Sequence, residues 1–110
     1  MAGMSVEEFE ENVSTVCSNS PTVRNFARHG AGANWVSMRA YLTDESVVDV
    51  FYNQKTGKTS FAQIRGNRRI FGADNRKGWH WHARENPSQH IEAEREISFD
   101  EFLAEIERSI

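Results

Sequence analysis

The stretch Gly78–His90 reads GWHWHARENPSQH and holds three of the chain's four histidines, two of its three tryptophans and one of its two prolines. Imidazole ionises near neutral pH and ligates first-row metals, so His80, His82 and His90 can serve either a metal site or an acid/base pair. Residues two apart in a strand share a face, which sends Trp79 and Trp81 one way and His80 and His82 the other. Indole is costly to leave in water. The favoured arrangement therefore buries both tryptophans and presents both imidazoles to solvent.

Three readings of that pair compete. In the first, His80 and His82 hold one divalent ion, and Glu85 or His90 completes three ligands with a coordination position left open. The spacing His-x-His-x2-Glu resembles the first metal motif of cupins, which implies a small-molecule protein built around a metal. In the second, which needs no cofactor, one imidazole takes a proton from a ribose 2′-hydroxyl and another group protonates the leaving oxygen. Arg69, Arg76 and Arg84 would hold the phosphate through their forked donors, and exposed aromatics would stack unpaired bases, which makes single-stranded RNA the ligand. In the third, the pair is a solvated strand face beside a basic patch that pairs with the protein's own acidic helices. A separate class is a noncatalytic interaction module whose exposed strand or acidic helix docks a partner.

Charge is segregated along the chain. Residues 1–23 carry four Glu and no base, residues 53–84 carry eight bases against Asp74 alone, and residues 85–110 carry eight acids against Arg95 and Arg108. A basic middle thus lies between acidic ends under a net charge of −3. A length of 110 residues fits a single domain over 1–110. No apolar run approaches the roughly 20 residues of a membrane span, and the acidic N-terminus lacks the apolar stretch of a secretory signal, so the expectation is a cytoplasmic protein without membrane contact.

The elements that position the histidines follow from caps and periods. Ser5 with Glu8 and Ser98 with Glu101 form capping boxes, and Met4 with Phe9 and Ile97 with Phe102 form hydrophobic staples around them. The stripes Phe9, Val13, Val16, Cys17 and Phe99, Phe102, Leu103, Ile106, Ile110 face a core, which makes Cys17 a buried structural thiol. Ser20 and Pro21 predict a further short helix ending at Gly30, with His29 in its last turn.

Five strands are expected between the helices: Asn34–Leu42, Ser46–Tyr52, Thr59–Arg65, Arg68–Ala73 and Trp79–His82. Thr43-Asp44-Glu45, a loop around Gly57 with exposed Lys55 and Lys58, and Gly66-Asn67 supply the turns. Asp74-Asn75 opens the next loop, as turn chemistry or as a catalytic carboxylate. Residues 83–96 are polar and read as irregular. The whole is an α+β domain, an antiparallel meander flanked by N-terminal helices and a C-terminal helix.

The run FGADN at 71–75, the pair in WHWH at 79–82, His90 and the closing ISFDEFLAEIERSI together resemble the small TumE-type proteins of prokaryotic toxin–antitoxin modules. That resemblance covers residues 46–110 and marks Asp74, Asn75, His80, His82 and His90. It implies a toxin held inactive by an antitoxin protein and acting on RNA or another cellular target. Combined with the charge pattern, it leads to an RNA-binding or RNA-cleaving protein with His80 and His82 as the proton-transfer pair.

Overall fold

The two capping boxes open the two helices. The Ser5 and Ser98 hydroxyls accept the amides of Glu8 and Glu101, whose carboxylates accept the cap amides in return. Helix α1 spans Val6–Ser18 and α2 spans Phe99–Glu107. The computed structural model describes residues 3–84 and 89–110. Among the described residues seven strands lie between the helices: β1 Val23–Ala31, β2 Trp35–Leu42, β3 Val47–Asn53, β4 Thr59–Arg65, β5 Arg68–Asp74, β6 His80–His82 and β7 His90–Glu92. They form one antiparallel sheet in strict chain order, so the architecture is α+β and the sheet is a meander.

One face of the sheet carries the core. Strands β2, β3 and β4 alternate between buried and half-buried residues, as the period of a strand with one covered face requires. Val36, Met38, Ala40, Leu42, Val48, Val50, Tyr52 and Phe61 are buried with Phe9 and Val13 of α1 and with Phe99, Phe102, Leu103 and Ile106 of α2. Phe9 stacks on Tyr52 with centroids 4.5 Å apart, and Phe102 meets Phe61 at 5.3 Å and Phe71 at 5.1 Å. Each Val, Leu, Ile, Phe or Met side chain so covered contributes about 1.5–3 kcal/mol by removal from water. Ile110, expected on the α2 stripe, is exposed beyond the end of that helix.

Gly66 and Asn67 both have positive φ, 57° and 65°, the primed turn whose twist suits a tight hairpin between β4 and β5. The helix expected from Ser20 to Gly30 is instead strand β1, the edge partner of β2. Register shifts at Val23/Asn25 and at Arg28/Gly30 break its two-residue period, which removes the alternation by which a strand is recognised. The Ser20 hydroxyl does cap, but it accepts the Thr22 amide at 3.2 Å and donates to Glu107 of α2 at 2.6 Å, holding a turn. His29 accordingly sits exposed on β1 and ends no helix.

The sheet gains its seventh strand from the stretch expected to be irregular. β7 pairs with β6 through His80↔Glu92, Trp81↔Ile91 and His82↔His90. Strand β5 also runs one residue further than expected, so Asp74 belongs to the ladder and faces His80 across it.

Candidate metal centre

On β5, β6 and β7 the residues pointing away from the helices form two rows. Asp74, His80 and Glu92 are cross-strand neighbours in one row, and Gly72, His82 and His90 in the other. Neighbours in such rows stand about 5 Å apart at Cβ, close enough for three imidazoles and a carboxylate to meet over the sheet. Gly72 allows backbone and Arg69 to approach closely beside this group. A Cβ there would approach the Phe61 carbonyl oxygen at 3.1 Å, Arg69 Cδ at 3.3 Å and His82 Cδ2 at 3.5 Å.

The expected facing of the pair is observed, and its expected exposure is not. Trp79 and Trp81 turn to the helix side, where Trp79 packs on Phe61 at 6.0 Å and Trp81 on Phe71 at 5.6 Å. Both indoles nevertheless stay half-buried, while His80 and His82 are only 8% and 4% exposed. Alternation within one strand does not determine cover. β6 lies between β5 and β7, and Asp74 and His90 from those neighbours close over the two rings.

The carboxylate of Asp74 organises the cluster. Its Oδ2 lies 2.8 Å from His82 Nε2, and its Oδ1 lies 3.2 Å from His80 Nε2 and accepts the Arg76 amide at 3.0 Å. His80 Nδ1 lies 3.0 Å from the Gly78 carbonyl oxygen, which can only accept, so Nδ1 carries a proton. In the neutral ring Nε2 then presents a lone pair to a carboxylate oxygen. Two lone pairs face to face repel, and the contact calls for positive charge between them: a second ring proton or a metal ion.

Burial pulls the Asp74 carboxyl upward, but the hydrogen bond from His82, the Arg76 amide and the charges of His80 and His82 outweigh it and hold the group below the ordinary carboxylate value. His90 completes the group from β7. Its ring stacks on His80 at 4.6 Å and 7° and meets His82 edge-on at 4.6 Å. Desolvation by its neighbours, followed by the charges of His82 and His80, pushes His90 below its usual range against the pull of Asp74.

One ligand atom from each of His80, His82 and His90 lies within 4.8 Å of the others. Nitrogens bound tetrahedrally to one ion at about 2.1 Å each are about 3.4 Å apart. Drawing the set onto an ion therefore asks for a contraction of up to about 1.4 Å, within the reach of side-chain rotation. The Nδ1–H to Gly78 carbonyl bond is the support a ligating histidine ordinarily has, since it fixes the tautomer and aims Nε2 at the ion.

The remaining sequence-predicted residues divide. Arg69 and Arg76 line the same pocket as Asp74, the three histidines and Glu92, joined there by Lys77. Arg84 does not join them. Its guanidinium lies over Phe71 at 4.4 Å and donates to Gln63 Oε1 at 3.1 Å and to the Glu105 carbonyl oxygen of α2 at 3.5 Å, on the helix side of the sheet. Glu85 falls outside the described residues. Asn75 has a structural task, accepting the Thr59 amide at 2.9 Å and donating to the Gly57 carbonyl at 2.8 Å. Lys55 is exposed as expected, and Lys58 holds its ammonium 5.7 Å from the Phe51 ring centre. Burial pushes the Cys17 thiol up to about 11, which suits a core residue.

Sequence reasoning missed Gly72 and placed Asp74 outside the metal set. The legible signal was the alternation Gly72-x-Asp74 ahead of His80-x-His82, a small residue and a carboxylate set opposite the two imidazoles. Comparison with family models, curated proteins and solved structures finds no match to this chain.

Proposed function

We propose that the chain binds one divalent first-row transition ion through His80, His82, His90 and Asp74, on the face of the sheet away from the helices. The observation that carries this reading is the set of nitrogens gathered on Asp74, with His80 Nε2 aimed at a carboxylate oxygen while its Nδ1 is committed to Gly78. Imidazole-rich sets with a carboxylate suit zinc, iron, nickel or copper better than calcium or magnesium. A bound ion would supply Lewis-acid chemistry towards the pocket that opens beside it. The protein's part is to orient His80 through Gly78, to hold Asp74 ionised, and to exclude bulk water from one side of His82. The test is metal analysis of the purified protein. About one tightly held ion per chain, lost in His82→Ala, is expected, and a metal-free protein that takes up no zinc or cobalt on titration would overturn it.

A second reading has its own support: Arg69 and Arg76 stand on the rim of this pocket, and the chain resembles TumE-type toxins. In that reading Asp74 orients His82, which exchanges a proton with RNA held by the arginines, and an antitoxin protein covers the face. RNA cleavage that survives chelator and is lost in both His80→Ala and His82→Ala would favour it over the metal centre.

A further inference from the structure

We infer that the centre recognises an oxyanion carried on a small molecule, held between the metal and the cations Arg76 and Lys77; this rests on the metal reading above. The pocket around the histidines has Arg69 at one end, where the β4–β5 hairpin returns, and Arg76 and Lys77 at the other, in the turn between β5 and β6. Arg69 is close enough for its charge to be felt at His90. Beside Arg76 and Lys77 stand Glu92 on the rim and Asp74, which a bound ion would itself engage.

Five arginines elsewhere are matched. Arg28 pairs with Glu10, Arg39 with Asp49, Arg65 with Asp44, Arg95 with Glu101 and Arg108 with Glu105. Among the described residues neither Arg76 nor Lys77 makes an ion pair, although the chain as a whole is acidic. A divalent ion adds two further positive charges to this pocket. The surplus would be relieved by a ligand that brings one negative oxygen towards the ion and a second to the guanidinium, as a carboxylate or phosphate group can. The cations converge on one recess from two sides, which suits a compact anion.

The chemistry is shared by free anions and by the phosphodiester of RNA, and cobalt-loaded protein distinguishes them. Cobalt in a histidine-rich site absorbs visible light in a way that reports a new oxygen ligand. Titration with inorganic phosphate, with acetate and with a single-stranded oligoribonucleotide should give a saturable spectral shift for at least one of the small anions. The double variant Arg76→Gln, Lys77→Gln should bind cobalt as the parent does and weaken the anion by about tenfold or more, one lost charge-assisted contact's worth. Lys55→Gln, on a different loop, should leave it unchanged.

A cobalt spectrum indifferent to both small anions would overturn the inference and leave the metal centre standing. A shift from the oligoribonucleotide alone would overturn the small-ligand assignment in favour of RNA. An undiminished anion shift in the double variant would remove Arg76 and Lys77 from recognition. Failure to bind cobalt at all would sink the metal reading and this inference with it.

Discussion

Two aspartates, thirty residues apart, each gather three partners at the turn end of a strand, and they do opposite things. Asp44 accepts the Ser46 amide at 3.0 Å and the Ser46 hydroxyl through one oxygen and the Arg65 guanidinium through the other. The buried Ser46 in turn accepts Gln63 Nε2 at 3.0 Å. Asp74 accepts an amide in the same manner, but its other two contacts are imidazole nitrogens. Amide, hydroxyl and guanidinium keep their protons at every physiological pH, so the Asp44 set is closed. Imidazoles can release theirs, so the Asp74 set can exchange protons for an ion. A shared local grammar yields a structural staple in one place and a candidate reactive centre in the other.

The widest separation between the two should come from metal affinity. Replacing His82 with Ala is expected to abolish tight binding of one zinc or cobalt ion, whereas Asp44→Asn should leave stoichiometry and affinity at the parent value; equal loss in both, read by equilibrium titration, would dissolve the distinction. Stability should order them the other way. Asp44→Ala strands the buried Ser46 amide and hydroxyl and should cost about 1–3 kcal/mol in urea unfolding of metal-free protein.

Acid should sharpen the same contrast. Asp44 is desolvated, which raises its carboxyl, but the Ser46 hydroxyl and amide and the Arg65 charge hold it below its ordinary 3.8. A depressed folded value favours the native state above 3.8 and loses that contribution as the pH falls through the folded value. The gap in urea midpoint between the parent and Asp44→Ala should therefore be full near neutral pH and narrow below about pH 4; a gap constant to pH 2 would contradict the assignment. The smallest effect belongs to a pair tied to neither aspartate. Arg28→Ala, which removes the exposed bridge to Glu10, should leave the urea midpoint nearly unchanged and lose even that small effect in high salt.

The capping boxes at Ser5 and Ser98, the primed turn at Gly66-Asn67 and strands β2 to β5 were legible because each is written in local chemistry within a few residues. Strand β1 was not. Two bulges hide its period, and Ser20-Pro21 is as good a turn as a helix start. For the candidate centre the facing of His80 and His82 could be read from spacing, but their burial could not, because the cover comes from β5 and β7. The misassignment of Arg84 has the same origin: it is near His82 in the chain, yet its guanidinium lies over Phe71 on the other side of the sheet. Which of many basic residues meet is a property of register, and register is set by partners far along the chain.

The strict chain order of the seven strands bears on how the molecule is assembled. Every ladder joins sequence neighbours, so the sheet can zip from any hairpin with only short loops to close, a topology of low contact order that favours rapid folding. The long-range work falls to the helices, since α1 and α2 come from opposite ends of the chain and pack on the same face.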